Sequence, residues 1–226
     1  MQIFPRELNL LPMVLAGVGT VAGVGLILVV WIYFSPRNLQ VGYSPEQPVP
    51  YSHRLHAGEL GLDCRYCHAN VEESAEAMIP PTQTCMGCHN VVRTESARLA
   101  PIRESWETGE AMEWVRVHQL PDHTYFNHST HLYGALASEG PNGEEVRVAI
   151  GCESCHGRID QMEVVGVDQP IAMQWCLECH RDPSEHLRPV EEITTMGWEP
   201  SDEWLEHTDE HVAAVLPPTH CSGCHR

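Results

Sequence analysis

The chain has 226 residues and a net charge of −18, with 13 Lys and Arg against 31 Asp and Glu. That balance argues against nucleic acid as a partner, which requires a basic surface. It leaves two uses for the charge, solubility or a field that steers a basic partner. Aromatic residues make up 7% of the chain, with only three Phe, too few for a domain of about 190 residues to fill a core unaided.

Residues 8–36 carry no charge. Within them, residues 11–34 are apolar enough for a helix of about 36 Å, against a hydrocarbon core of about 30 Å. The run is long for a signal-peptide core. Trp31, Ile32, Tyr33 and Phe34 stand where a small-x-small cleavage site would fall, and Trp and Tyr suit a membrane interface. The expectation is a retained single-pass anchor over residues 1–37, followed by one domain over residues 38–226. Ala16, Gly19, Thr20 and Gly23 recur at i, i+3, i+4 and i+7, a small-residue stripe that lets another helix approach closely. The plainer reading is that Gly is common in such helices. Prolines at 36, 45, 48 and 50 then favour an extended spacer.

All ten cysteines fall in five Cys-x-x-Cys-His motifs: Cys64/Cys67/His68, Cys85/Cys88/His89, Cys152/Cys155/His156, Cys176/Cys179/His180 and Cys221/Cys224/His225. This motif attaches c-type haem. Two thiols add across the porphyrin vinyl groups, and the histidine that follows is an axial ligand of the iron. Zinc knuckles and redox disulfides are the competing readings. Neither explains a histidine at the same offset after every pair, in a chain with 15 histidines among 226 residues. Zinc also leaves an odd pair over. Five covalently bound haem c groups are expected, and their apolar faces would supply the missing core.

The chain then repeats itself. Tyr51-x-His53-x-x-His56 precedes the first two motifs, and Phe126-x-His128-x-x-His131 precedes the next two. Modules 51–89 and 126–180 thus share an order of aromatic, His pair, haem site, spacer and haem site, which marks an internal duplication. An insertion at 136–146, rich in Gly and acidic residues, reads as a surface loop. Residues 93–117 read as helical pieces broken at Pro101. Residues 181–200 read as irregular, and residues 201–216 as one helix capped by Ser201.

Five six-coordinate irons need five distal ligands besides the motif histidines. The repeat selects His53, His56, His128 and His131. For the fifth, His118 is the first choice, in an otherwise apolar turn. His207 and His211, at i and i+4, are alternatives, as is a methionine (Met78, Met162, Met173 or Met196). His123, His186 and His220 are the remaining histidines, and His220 abuts its own motif. The expected fold is a mainly irregular multihaem cytochrome c with short α-helices packed around five haems. Haem attachment to c-type cytochromes takes place outside the cytoplasmic membrane, so residues after Phe34 are expected on the periplasmic side.

The order of one anchor, SHRLH, CRYCH, CMGCH, VHQLPDHTYFNHSTH, CESCHGRIDQM, MQWCLECHRDP and CSGCH resembles the pentahaem cytochrome c subunit of alternative complex III, a quinol:electron-acceptor oxidoreductase. Each half is also similar to small class III multihaem cytochromes, in which a like aromatic-x-His-x-x-His supplies distal ligands. The resemblance implies an electron wire with no substrate chemistry of its own, in a respiratory or photosynthetic membrane complex. It implies an iron–sulfur subunit, a polytopic quinol-binding subunit and a monohaem cytochrome c as partners, and a soluble electron acceptor. A membrane-anchored quinol dehydrogenase of nitrate or nitrite respiration is disfavoured. Those usually carry four haems and a methionine just after the first motif, where this chain has Ala69 and Asn70. A multihaem reductase would need an open iron, commonly signalled by a motif without its histidine. A photosynthetic reaction-centre cytochrome is disfavoured by the fifth site and the His pairs.

Overall fold

The computed structural model describes residues 5–35, 40–139 and 145–225. Helix α1, Leu11–Tyr33, has Pro12 in its first turn, where the missing N–H costs no bond. None of its residues is buried against the rest of the chain. A Cβ built on Gly17, Gly19, Gly23 or Gly25 meets nothing within 4 Å. The helix is long and apolar enough to cross a membrane. Pro36 and Arg37, at its expected boundary, lie outside the described residues.

The segment after the anchor docks rather than acting as a free spacer. Gly42 N–H donates to Val167 O at 2.8 Å, and Val167 N–H donates back to Tyr43 O at 2.9 Å. The Gln47 amide exchanges two 2.9 Å bonds with the backbone of Val115, and Val49 is buried. Prolines 45, 48 and 50 cannot donate, but Gln47 between them and residues 42–44 before them find partners on the 115 and 165–167 stretches.

Regular structure elsewhere is short. The next helices in chain order are α2 Cys64–Cys67, α3 Thr82–His89, α4 Ala100–Thr108, α5 His128–Leu132, α6 Cys152–His156, α7 Met173–Arg181, α8 Asp202–Glu206, α9 Thr208–Val215 and α10 Cys221–Cys224. Pro101 opens α4 instead of breaking a helix, because the first turn needs no N–H there. Gly109, at φ +76°, closes it. The single helix expected over 201–216 is two. Ser201 Oγ caps α8 by accepting from Trp204 N–H at 3.2 Å, and the chain turns at His207 before α9.

The expected surface loop at 136–146 is instead part of a hairpin. Strand β1, Ala135–Glu139, pairs antiparallel with β2, Glu145–Ile150, which pairs antiparallel with β3, Leu187–Pro189. Val146, Val148 and Ile150 recur at period two in the sequence, although Val148 and Ala149 are both buried. The Gly-rich centre, residues 140–144, lies outside the described residues. Strand β3 also gives order to part of the stretch read as irregular.

The apolar core is small. Val71, Leu132, Ala149 and Ile193 meet with Ala77 and Val190 packed around them. They join the loop after the first motif, helix α5, the sheet and the segment beyond it. Among the described residues only nine hydrophobic side chains are buried, a small core for a domain of this length.

Candidate functional site

Every Cys-x-x-Cys stretch lies on a helical turn: α2, α3, α6, α7 and α10 each carry one pair. At i, i+3 and i+4 the two cysteines and the histidine share one face. Backbone bonds from His68 N–H to Cys64 O (2.8 Å) and from His225 N–H to Cys221 O (2.9 Å) hold that turn even where the helix is four residues long. Asp63 caps α2, its Oδ1 accepting from Arg65 N–H at 2.8 Å.

None of the ten cysteines is paired in a disulfide. Burial pushes Cys67, Cys85, Cys176 and Cys179 up, and Cys155 up to about 12. Neutral thiols without a cationic neighbour are poor material for a redox disulfide. No three His, Cys, Asp or Glu side chains among the described residues gather into a metal cluster.

The motif thiols are not equally covered. Cys88 is exposed, and so is Cys221, whereas the other eight are half-buried. Cys88 lies in the last turn of α3, whose end is followed by the exposed Val91 and Val92. Its carbonyl accepts from both of their N–H groups, at 3.1 and 2.9 Å, so the chain bends away there and covers nothing beside the thiol. Cys85, one turn earlier, is the half-buried member of that pair. Exposure does not bar Cys88 from a thioether, because the sulfur needs only to reach the ring edge.

The thiols also show which motifs are neighbours. Cys67 is pushed up further by Cys85, and Cys64 and Cys152 lie close enough to shift each other. Cys155 feels Cys179 and Cys176, and Cys176 feels Cys224. Independent contacts agree for the first three motifs. The Tyr66 hydroxyl faces Gly87 at 3.7 Å from its Cβ position. Thr194 Oγ1 donates to Asp63 Oδ2 at 3.0 Å, while Cys152 N–H donates to Ile193 O at 2.9 Å.

Six histidines have Nδ1 against a backbone carbonyl. His56 meets Ser52 O at 2.8 Å, His68 meets Met78 O at 2.7 Å and His89 meets Val92 O at 3.0 Å. His128 meets Ala75 O at 2.8 Å, His131 meets Asn127 O at 2.8 Å and His180 meets Pro218 O at 2.7 Å. A carbonyl only accepts, so Nδ1 carries the proton and Nε2 presents its lone pair. Metal-ligating histidines are oriented in this way.

Five of these rings enter ring pairs, with His156 as the sixth member. Centroids lie 6.2 Å apart for His56 and His89, 6.2 Å for His131 and His180, and 6.4 Å for His128 and His156. A metal–imidazole bond is about 2 Å, so two imidazoles across one iron hold their ring centres about 6 Å apart. His53 is pushed down to about 4 by burial and then by the neighbouring His68 and His56. Burial likewise brings His156 down to about 3, with His118, His128, His68 and His53 adding to it. Both rings are neutral at physiological pH, the form that ligates iron.

The two aromatic-x-His-x-x-His stretches fold alike. Tyr51 stands edge-on to His53 (4.8 Å, 86°) and stacks on His56 (4.4 Å, 22°). Phe126 stands edge-on to His128 (4.8 Å, 88°) and stacks on His131 (4.8 Å, 25°). His56 lies in the wide turn Arg54–Glu59, where Gly58 approaches the Asp160 carbonyl too closely for a side chain.

The candidates for the fifth distal ligand are placed differently. His118 packs edge-on against His156, centroids 4.4 Å apart at 82°, too close for an iron between them. Its Nε2 is buried without a partner. His211 is buried and stacks on Trp204 at 3.9 Å, and exposed His207 pairs with Glu210 at 3.3 Å. The Met78 sulfur accepts from the Asn70 amide at 3.6 Å, and its carbonyl holds His68. A histidine passed over in the sequence, His123, faces His225 with centroids 5.6 Å apart. The repeat could not single it out, because three residues before the module's aromatic the first copy has Pro48.

These side chains fit haem c: paired thiols on one helical face, oriented imidazoles, and few buried apolar side chains of the chain's own. No protein-family model matches the chain. It is similar to the multihaem cytochrome c subunit of menaquinone reductase from Nitratidesulfovibrio vulgaris (strain Hildenborough), 27% identical over 192 residues, which cover 80% of this chain and 77% of that protein. The chain is a distant homologue of a multihaem cytochrome c subunit.

Proposed function

We propose that the chain is a membrane-anchored pentahaem c-type cytochrome, an electron-transfer subunit of a quinone-coupled oxidoreductase complex. The observation that carries this reading is the set of histidine pairs with ring centres 6.2–6.4 Å apart, most of whose members hold Nδ1 on a carbonyl. Bound haem supplies reversible one-electron iron chemistry. The chain's own part is to fix each macrocycle by two cysteines and to present neutral imidazoles from both sides. An iron so capped has no open position for a substrate, which favours a wire over a reductase.

The mutual electrostatic influence of the cysteines supports an order for the attachment sites. Numbered along the chain, the sites run second, first, third, fourth, fifth, so the ends are the Cys85/Cys88 and Cys221/Cys224 sites. The two exposed thiols, Cys88 and Cys221, belong to these two end sites, where a wire would meet its donor and its acceptor. Helix α1 serves as the anchor, with the haem domain on the periplasmic side of the cytoplasmic membrane. Among quinone-coupled complexes, motif order and flanking residues favour the pentahaem subunit of alternative complex III. Its partners would be an iron–sulfur subunit, a polytopic quinol-binding subunit and a monohaem cytochrome c, delivering to a soluble acceptor. The relative belongs to a menaquinone reductase, which gives the second reading, a wire feeding electrons toward quinone.

Mild-detergent extraction followed by subunit identification and rapid mixing tests both. Iron–sulfur and polytopic subunits should copurify, and menaquinol should reduce the haems faster than a soluble cytochrome donor does. The reverse preference supports the second reading, and a lone cytochrome without partners refutes the complex.

A further inference from the structure

We infer that His123 is the distal ligand of the iron at the Cys221/Cys224/His225 site. The inference rests on the haem reading above and goes past the repeat logic, which selects four distal ligands and leaves this site without one.

The His123 and His225 rings are 5.6 Å apart and within 22° of parallel. They are brought together by backbone, and not by chance side-chain contact. Thr124 and His225 form an antiparallel bridge, and Tyr125 N–H donates to Cys224 O at 2.7 Å. Thus the residue after His123 is fastened to the motif histidine itself. Pro121 O accepts from Thr124 N–H at 2.9 Å, closing a turn that carries His123 at its corner. The separation is shorter than in the other pairs, and the rings must part by about half an ångström to admit an iron with two bonds of about 2 Å.

The competing side chains are engaged elsewhere. His118 lies on His156, His211 on Trp204, and His207 on Glu210. The His220 ring folds back on its own motif, with Nε2 3.6 Å from the Cβ position of Gly223. With His123 assigned, every motif histidine has a histidine neighbour, and His118 remains a half-buried packing residue.

The test uses the full chain in its membrane complex, with His123→Ala, His123→Gly, His123→Met and, as comparator, His118→Ala. Haem content by pyridine haemochrome, ferric spin state by electron paramagnetic resonance and carbon monoxide binding to the reduced protein are the readouts. His123→Ala should keep five haems while one in five becomes high-spin and binds carbon monoxide. Added imidazole should return the His123→Gly protein to low spin. His123→Met should stay low-spin with one haem shifted to higher potential, which covers the case in which the smaller variants lose the fifth haem. His118→Ala should leave all five low-spin. Five low-spin haems in His123→Ala, unchanged potentials in His123→Met, or a high-spin haem in His118→Ala instead would overturn the assignment. A wild-type chain whose Cys221/Cys224 peptide carries no haem would instead sink the haem reading for that site.

Discussion

Arg188 is the buried cation on which the third motif is mounted, and its replacement gives a prediction whose size follows from the contacts. It is 5% exposed on strand β3. Its Nη2 donates to Glu153 Oε1 at 2.8 Å, its Nη1 donates to Thr195 O at 3.0 Å, and the guanidinium lies 5.2 Å over Trp198. Glu153 is in the first turn of α6, between the two cysteines, and a Cβ on Gly151 would collide with the same guanidinium. Arg188→Met would keep the aliphatic bulk and leave Glu153 with only the 4.0 Å contact to Arg158 Nε as its cation. Breaking a buried pair costs about 3–5 kcal/mol. Glu153 retains the 2.6 Å bond from Gly197 N–H and is 16% exposed, so about 3 kcal/mol is expected. For a chain of this size that is a fall of about 6–12 °C in unfolding midpoint. Soret circular dichroism of the detergent-solubilised holoprotein measures it. Adding Glu153→Gln to Arg188→Met should cost less than the two single changes summed. A midpoint within about 2 °C of wild type would show that the pair does not hold this motif.

Asp63 supplies a pH-dependent link between the first motif and the segment beside the third. The hydrogen bond from Arg65 holds its carboxyl down at about 2, so its contribution is present above the unfolded value near 3.9 and is lost as pH falls toward 2. Asp63→Asn retains a capping side chain and should remove part of the fall in unfolding midpoint between about pH 4 and about pH 2; equal slopes for variant and wild type would contradict this. In the anchor, Gly19→Leu or Gly23→Leu should release the cytochrome from partner subunits while leaving it membrane-bound with five haems. Copurification at wild-type yield would mean that the small-residue stripe makes no contact.

How much was readable depended on where the determinant lies. Cys-x-x-Cys-His is a local device, and a helical turn brings its three side chains to one face whatever surrounds it. How deeply each thiol sits is not local, and the exposure of Cys88 and Cys221 depends on what the rest of the chain lays over them. The aromatic-x-His-x-x-His stretch is local too, and both copies place the aromatic ring on the two histidines in the same way. Which histidine meets His225 is a long-range matter, fixed by the Thr124–His225 bridge across about a hundred residues of chain. No spacing rule carries that. The hairpin at 135–150 was hidden by a Gly-rich acidic insertion, although Val146, Val148 and Ile150 carry the strand period. The proline-rich stretch after the anchor docks because Gln47 and Gly42 find backbone partners far away in sequence, which composition does not reveal.

The central claim is that the five motifs each hold a covalent haem capped by two histidines. Pyridine haemochrome on the denatured chain, paired with the ferric spin state of the intact protein, tests it most directly. The account predicts five haems per chain, low-spin throughout and little changed by cyanide or carbon monoxide. Four or fewer haems, stoichiometric zinc, or a substantial high-spin fraction in the intact protein would contradict it.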